Sequence, residues 1–428
     1  MMKRGDGTGR DGIAADGVRR LPFHYGWLIV ATGNLCVLCC LGLGRFALGM
    51  LLPSMGASLH LSYDQMGYIS TMNFVGYLAA VLLAGPAVAR WGARRTVALS
   101  LFLVGASMVL VSRAGGFLEI MALYVLTGIG SGGVNVPLMG LVTHWFARDM
   151  RGRAAGFIVV GSGFGMILAG LVIPEINAAI GADGWRTSWL FLGGLSLAIA
   201  LIAVLLLRDR PAEMGLAPVG RAVPAPSSAG AGGRAAAPRG LADARGVLAH
   251  LGAIYFLFGY TYVIYATFIV TTLVQERGFS EAAAGQFWAW VGFLSLFSGP
   301  VFGILSDRAG RKVALAVVFG MQMTAYALMA AELPGAFVYL SIVLYGLVAW
   351  SVPGIMAAAA GDHVGPERAA AAFGLITFLF GIGQIVGPGI AGILAERSGS
   401  FTGSYWMATG MAGIAVLLVV FLRRPHPA

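Results

Sequence analysis

Charged residues are scarce in this sequence. Only 11% of its 428 residues are charged and 58% are hydrophobic, whereas soluble domains carry about 25% charged residues. A soluble protein of this length needs a polar exterior that this composition does not supply. The hydrophobic residues form long continuous runs between Tyr25 and Leu422, not the short alternating segments of a membrane barrel. The composition therefore predicts a protein that is embedded in lipid through helices.

Cysteines are also few. The three cysteines are Cys36, Cys39 and Cys40, all within the first hydrophobic run. The spacing Cys36-x-x-Cys39 is that of a redox or metal motif, but neither polar neighbours nor a second ligand pair accompany it. We interpret all three as small apolar side chains of a helix, and we predict neither a disulfide nor a metal site.

Signatures of catalysis and of cofactor binding are missing. The sequence has no phosphate-binding P-loop and no His/Cys/carboxylate cluster with the spacing of metal ligands. Gly161-Ser162-Gly163 lacks the strand-turn-helix context of a hydrolase nucleophile, and we read it as a site of close helix packing. These absences predict that the protein is not an enzyme and has no cofactor.

Twelve hydrophobic segments are each long enough to cross a hydrocarbon core of about 30 Å as a helix. Helix is the expected structure because lipid offers no hydrogen bonds to the backbone. We predict an all-α integral membrane protein with twelve transmembrane helices in two pseudo-symmetric six-helix bundles. The segments lie at 25–53, 64–88, 95–112, 118–145, 153–174 and 186–207, and at 246–273, 282–305, 313–331, 335–360, 369–394 and 402–422.

The segments divide the chain into five parts. A polar N-terminal tail, 1–24, precedes the first bundle, 25–207, whose first run is too long for a signal-peptide core. Residues 208–245 are rich in Ala, Gly, Pro and Ser, which predicts a flexible linker. The second bundle, 246–422, is followed by a short tail, 423–428.

The net charge of +10 would suggest nucleic acid as the partner of a soluble protein. Here 23 of the 28 Lys and Arg residues fall on one side of the predicted membrane, and cytoplasmic loops are enriched in basic residues. We therefore predict that both termini are cytoplasmic, that the protein lies in the plasma (inner) membrane, and that it binds no nucleic acid. The four basic residues on the opposite side are Arg113, Arg186, Arg277 and Arg397.

A loop motif occurs once in each half. Gly85 to Arg95 follows the second segment and Gly303 to Lys312 follows the eighth, which is the second of its own half. The glycines of the motif permit a tight turn and close helix approach, and Asp307 can accept hydrogen bonds from a helix N-terminus. A glycine-rich helix-packing pattern also repeats, in the fifth and eleventh segments, at Gly161, Gly165 and Gly170 and at Gly383, Gly387 and Pro388.

The loop motif resembles the signature of the major facilitator superfamily, G-x-L-(A/S)-D-R-x-G-R-(R/K). Gly303 to Lys312 matches it at every specified position, whereas the first copy has Ala89 in place of the aspartate. The resemblance implies a twelve-helix transporter that works by alternating access, with the motif controlling the inner gate. The gating residues implied are Gly85, Arg90, Gly92, Arg94, Arg95, Gly303, Asp307, Arg308, Gly310, Arg311 and Lys312.

A narrower resemblance is to the monocarboxylate-porter and oxalate/formate-antiporter branch. It rests on Tyr25-Gly26-Trp27, His144-Trp145-Phe146, Gly184-Trp185-Arg186 and Arg208-Asp209-Arg210-Pro211. That branch usually has a basic residue inside the eighth span, but here the corresponding place, near Ser298, has none.

Arg45 is the one Lys or Arg residue in the interior of a predicted span. A charge inside the membrane is costly, so it indicates a functional role. No carboxylate lies in the middle of a span to neutralise it, whereas an anionic substrate would. Asn34 lies eleven residues earlier, about three helical turns, so we expect both side chains on one face.

The remaining candidates for substrate binding are polar or aromatic residues of spans that are expected to face a central cavity. By resemblance, spans one, four, seven and ten line that cavity. The candidates are Asn73, Tyr77, Asn135, Tyr255, Tyr262, Tyr265, Gln286, Trp290, Trp350 and Gln384.

The sequence therefore predicts a secondary active or facilitative transporter of a small organic anion, such as a monocarboxylate, that functions as a monomer in the lipid bilayer. Two alternatives remain. One is a multidrug or metabolite efflux porter, although Met166 occupies the place of a proline that such porters carry in span five. The other is a non-transporting membrane sensor on the same fold.

Overall fold

The structure is a computed structural model that describes residues 23–220, 244–331, 333–365 and 367–422. The predicted N-terminal tail up to residue 22, residues 221–243 of the predicted linker and the predicted C-terminal tail 423–428 lie outside the described residues. Glu332 and Pro366 lie outside them as well.

The described residues form twelve helices that are long and apolar enough to cross a membrane, and no β-strand occurs among them. The predicted fold class and helix count are confirmed. The helices are α1 (Tyr25–Leu59), α2 (Tyr63–Trp91), α3 (Ala93–Val111), α4 (Phe117–Trp145), α5 (Arg151–Ile180), α6 (Gly184–Leu206), α7 (Arg245–Glu276), α8 (Glu281–Ala309), α9 (Arg311–Ala330), α10 (Ala336–Val364), α11 (Ala369–Ser398) and α12 (Thr402–Phe421).

Several helices extend beyond the hydrophobic runs that predicted them, because hydrophobicity marks only the part immersed in lipid. The largest difference that affects the site is in α1, which continues through Pro53 to Leu59. Arg45 therefore lies 14 residues before the end of α1, about 21 Å along the helix.

The helix α1 widens near its middle. Leu38–Phe46 is a π-helix, which has more residues in each turn than an α-helix. Two side chains of α4 bond carbonyl oxygens of this turn: the Tyr124 hydroxyl donates to Gly44 at 2.9 Å and the Ser131 hydroxyl to Cys40 at 2.7 Å. Such bonds stabilise irregular backbone where lipid offers none.

The two halves, α1–α6 and α7–α12, contact each other closely at several glycines. We call the side where Phe23 and Leu422 lie the termini side, and the other the far side. On the far side the backbones approach at glycines. A methyl group at Gly49 of α1 would lie 2.6 Å from the carbonyl oxygen of Ala266 in α7, and one at Gly67 of α2 would lie 2.5 Å from that of Pro388 in α11.

Carboxylates of the second half add polar contacts on the far side. Glu281 of α8 accepts a hydrogen bond from the Asn177 side-chain amide of α5 at 2.8 Å. Glu396 of α11 accepts one from the backbone N–H of Tyr63, the first residue of α2, at 2.8 Å. Negative charge at a helix N-terminus is favourable, so this pair holds α2 against α11.

The halves separate on the termini side. A cleft of about 540 Å³ lies between α5 and α8, with Phe157 on one wall and Leu296 and Trp350 on the other. No atom lies within 4 Å of a methyl group built on Gly85 or on Gly303, so these motif glycines make no close helix contact in this conformation. On the far side a cavity of similar volume, about 530 Å³, lies between α1, α5 and α8, beside the backbone contacts of Gly49 and Gly67.

The start of the predicted flexible linker is ordered, unlike the prediction. Asp209 accepts a hydrogen bond from the Arg94 backbone N–H at 2.7 Å, close to the N-terminus of α3. The Val219 carbonyl accepts one from Ala147 N–H at 2.8 Å. Pro211 is buried in a short 3-10 turn, Pro211–Met214. Apolar residues that contact the first half, such as Val219, lie among the small and polar residues of this segment. The average composition of the segment therefore did not reveal them.

The glycine contacts of the far side generate one prediction. In Gly67→Val the added side chain meets α11, so we expect the far side to open. Spin labels on cysteines introduced at His60 and Ser398 measure this as a longer distance between the halves. Because the native cysteines are buried, the spin label reacts selectively with the introduced cysteines.

The control for this experiment is Gly194→Val, because a methyl group at Gly194 of α6 would have no atom within 4 Å. An unchanged label distance in Gly67→Val would show that the glycine contact does not hold the far side closed.

A second prediction concerns the ordered segment after α6. Asp209→Ala removes the acceptor at the start of α3 and is expected to cost about 1 kcal/mol of stability, seen as a lower melting temperature in detergent. Glu175→Ala, a change at an exposed carboxylate of α5, is the control. Equal melting temperatures for the two variants would contradict the assignment.

Candidate functional site

Arg45 lies between the wide turn of α1 and an aromatic face of α2. Its guanidinium carbon is 4.7 Å from the centre of the Phe74 ring and 4.3 Å from that of Tyr77. These distances are those of cation–π contacts. The Tyr124 hydroxyl of α4 lies 3.4 Å from the carbonyl oxygen of Arg45, and Arg45 lines a small cavity together with Thr267 of α7, so the residue lies close to both halves.

Arg45 has no carboxylate partner among the described residues, whose ion pairs are Arg186–Asp183, Arg311–Asp307 and Arg311–Asp362. Two of its nitrogen atoms, Nε and Nη2, are buried and have no hydrogen-bond partner. Cation–π contacts compensate only part of the cost of burying a charge. The site is therefore electrostatically incomplete without an anion.

Three predicted residues of the first half surround Arg45. The Tyr77 hydroxyl accepts a hydrogen bond from the Asn135 side-chain amide of α4 at 2.9 Å, which fixes the ring under the guanidinium. Asn73, one turn before Tyr77, donates its amide to the Tyr124 carbonyl oxygen at 3.4 Å. Its Oδ1 atom is buried and has no partner.

The second half contributes Trp350, Tyr262 and Gln384. The Trp350 ring packs against Phe46 of α1 with ring centres 5.1 Å apart, and against Tyr262 with centres 6.0 Å apart. The Tyr262 hydroxyl accepts a hydrogen bond from the Gln384 side-chain amide of α11. Trp350 therefore contacts the α1 wide turn directly, and Tyr262 and Gln384 lie behind it.

Trp350 is placed by a break in α10, which is helical over Ala336–Val348 and again over Ser351–Val364. Its backbone N–H donates to the Ser298 hydroxyl of α8 at 3.0 Å. Ser298 stands where the narrower branch carries a basic residue. In this chain the Ser298 hydroxyl accepts a hydrogen bond from the backbone at the α10 break instead. Arg45 is the basic residue that the described structure brings to this region.

Four predicted substrate contacts lie elsewhere. The Tyr265 hydroxyl bonds Ser341 at 2.9 Å inside the second half, and the residue is fully buried. Gln286 and Trp290 face an outer groove between α5 and α8, and Trp290 is 56% exposed. Asn34 donates to the Phe157 carbonyl oxygen of α5 at 2.7 Å.

Asn34 and Arg45, which the sequence analysis expects on one face of α1, contact different helices: Asn34 bonds α5, whereas Arg45 packs on α2. The wide turn between them changes the helical periodicity on which that expectation depended. Tyr255 is buried, and its ring stacks on that of Phe380 with ring centres 4.4 Å apart.

Sequence reasoning missed Phe46, Phe74 and Tyr124 as site residues. Phe74 lies three residues before Tyr77 and therefore on the same helix face, and Phe46 is adjacent to Arg45 in sequence. Their spacing from Tyr77 and Arg45 could have identified both residues as site candidates. The role of Tyr124 depends on the wide turn of α1, which no sequence pattern indicated.

The gating motif forms an ion-pair cluster in the second half. Arg311 contacts Asp307 at 2.5 Å and Asp362, near the end of α10, at 3.0 Å, and Lys312 donates to the Val420 carbonyl oxygen at 2.8 Å. In the first half, where Ala89 replaces the aspartate, Asp209 supplies a carboxylate from a different part of the chain.

The other motif residues occupy turns or the surface. Gly92 and Gly310 have φ values of 80° and 91°, which glycine adopts without strain. The side chain of Arg94 donates to the Val204 carbonyl oxygen at 2.9 Å. Arg90, Arg95 and Arg308 are exposed.

The predicted packing glycines lie at helix interfaces. A methyl group at Gly165 of α5 would be 2.5 Å from Gly42 Cα in the α1 wide turn. A methyl group on Gly161 would lie nearest to α1, and one on Gly170 nearest to α8. Methyl groups on Gly383 and Gly387 would lie nearest to α7. The Pro388 carbonyl oxygen is the atom nearest to a methyl group on Gly67 of α2.

Comparison with known proteins agrees with this architecture. The family model described as Major Facilitator Superfamily matches residues 35–388 and 340–428. The hexuronate transporter of Bacillus subtilis (strain 168) is 26% identical over 409 residues, covering 90% of this chain and 91% of that protein. Human monocarboxylate transporter 11 is 25% identical over 424 residues, covering 94% of this chain and 84% of that protein.

Solved structures share the fold. A crystal structure of a D-xylose-proton symporter has a TM-score of 0.72 and 16% identity, covering 94% of this chain and 98% of that one. These two relatives are transporters, not enzymes. With twelve apolar helices, a matched family model and this shared fold, the chain is an integral membrane protein that belongs to the major facilitator superfamily.

Proposed function

We propose that this protein transports a small organic anion by alternating access, and that Arg45 binds the negative charge of the substrate. The observation that carries the proposal is the Arg45 guanidinium, which has two buried, unpartnered nitrogen atoms and no carboxylate partner in the described structure. Nε and Nη2 form one edge of the guanidinium, and this edge matches the two oxygens of a carboxylate.

The different contacts on the two sides of the molecule support alternating access. The cleft between α5 and α8 reaches Trp350, whose ring packs against Phe46 beside Arg45, and an anion would approach Arg45 along this route. The far side is held by glycine contacts and by Glu281 and Glu396. Rocking of one half against the other about the site would close the cleft and open the far side.

The environment of Arg45 favours a small anion with an apolar part. Trp350, Tyr262 and Phe46 present aromatic surface beside the charge, whereas a highly charged anion would need further cations. The names of two relatives, a hexuronate transporter and a monocarboxylate transporter, agree with an organic acid. Monocarboxylates are therefore the first class to test.

The orientation follows from charge. With the termini side in the cytoplasm of the plasma (inner) membrane, the basic loops obey the positive-inside rule, and the cleft between α5 and α8 lies on the cytoplasmic side. Both halves of the site come from one chain, so we propose that a monomer is sufficient for transport.

Reconstituted vesicles test the proposal. We expect uptake of some of a panel of acetate, propionate, lactate and oxalate by the native protein. Arg45→Ala removes two charge-assisted hydrogen bonds and is expected to weaken anion affinity roughly 100-fold. Arg45→Lys retains the charge but loses the paired geometry, so its affinity should fall in between.

Tyr265→Phe is the matched control, because Tyr265 bonds Ser341 away from the site, and it should transport as the native protein does. Wild-type affinity in Arg45→Ala would make Arg45 structural. Flux of lipophilic cations without anion flux would favour the efflux porter, and anion binding without flux would favour the sensor.

A further inference from the structure

A small closed cavity adjoins Arg45 on the far side. It lies among α1, α2, α4 and α7, and its polar lining comes from Arg45, Ser70, Asn73, Tyr124 and Thr267. Its volume is about 10 Å³, which is close to the least space that holds one water molecule. A hydroxyl group needs a similar space.

The hydrogen bonds around the cavity leave a defined set of unpaired atoms. Ser70 and Thr267 bond each other at 3.1 Å across the two halves, and the Tyr124 hydroxyl donates to Gly44. Asn73 is 1% exposed and its Oδ1 has no partner, as is also true of Arg45 Nε and Nη2. The site therefore offers two donors on Arg45 and one acceptor on Asn73.

The orientation of the Asn73 amide is determined by its neighbour. Its nitrogen faces the Tyr124 carbonyl oxygen at 3.4 Å, and only the NH₂ group of an amide can donate to a carbonyl. The oxygen is therefore the atom left for the cavity. A buried oxygen without a donor is costly, so a group that donates to it gains affinity.

We propose that this cavity is a subsite for a hydroxyl group next to the substrate carboxylate, and hence that the preferred substrates are 2-hydroxycarboxylates. This inference rests on the proposed function. The carboxylate binds the Nε and Nη2 edge of Arg45, and the hydroxyl group occupies the cavity and donates its hydrogen to Asn73 Oδ1.

Other groups at the same carbon fit less well. A keto oxygen would set its lone pairs against those of Asn73 Oδ1. An ammonium group could donate, but its positive charge would lie beside Arg45. A hydrogen or methyl group would leave Asn73 Oδ1 unpaired. The cavity thus distinguishes acids that differ by one polar group.

Matched pairs of acids test the subsite in the full-length protein. Competition binding in nanodiscs compares lactate with propionate and glycolate with acetate, and pyruvate provides the keto acid. The native protein is expected to bind the hydroxy acid of each pair roughly 10- to 100-fold more tightly. Pyruvate should bind no more tightly than propionate.

Asn73→Leu fills a similar volume without the acceptor. It should lose the preference for lactate while propionate binds at least as well as before, which also shows that the variant is folded. Asn73→Ser provides a second, smaller replacement, and Tyr265→Phe should leave the preference intact.

The outcomes separate the two proposals. Equal affinity for lactate and propionate in the native protein, or an unchanged preference in both Asn73 variants, would overturn the subsite and leave anion binding by Arg45 standing. Binding of none of these acids would overturn the proposed function together with the subsite.

Discussion

A positive charge in the middle of a bilayer needs a negative partner, and Arg45 has none among the residues that the structure describes. The surroundings of Arg45 are arranged to hold the charge without neutralising it. Two aromatic rings of α2 lie against the guanidinium, and α1 has a wide turn at this point. The wide turn in turn depends on α4, because Tyr124 and Ser131 bond its carbonyl oxygens. The charged site and the packing of the first half are therefore one structural unit.

The contacts between the halves are of two kinds. Near the far side, glycines bring helix backbones together, and the carboxylates of Glu281 and Glu396 bond neutral donors of the first half. Near the site, aromatic rings meet, as Phe46 and Trp350 do. The first kind depends on close approach and is lost when the helices part, whereas rings can slide over one another and retain contact. The arrangement suits a movement that pivots near Arg45.

Much of the fold was predictable, because lipid imposes simple rules on composition. Continuous hydrophobicity predicted twelve helices, and the loop motif indicated the family that the comparison confirmed. Arg45 was identifiable as the one Lys or Arg residue in the interior of a span. The neighbours Tyr77, Asn135, Tyr262, Trp350 and Gln384 were among the predicted candidates, and the structure places them near the cleft or the α1 wide turn.

The differences between expectation and structure have physical causes. The α1 wide turn changed the helical periodicity, so Asn34 and Arg45 do not share a neighbour. Tyr265, Gln286 and Trp290 have residue types that suit a binding site, but residue type does not say which face of a helix meets the cavity. Asp209 was assigned to a flexible linker because local composition conceals a contact with Arg94, a residue 115 positions away.

The missing partner of Arg45 has a consequence for the transport cycle under the proposed function. When the cleft closes over an empty site, the guanidinium loses water and gains no counter-charge, which costs several kcal/mol. When it closes over a bound anion, the two charges compensate each other. The loaded carrier therefore changes sides more readily than the empty one, and an anion on each side would drive exchange faster than net movement in one direction.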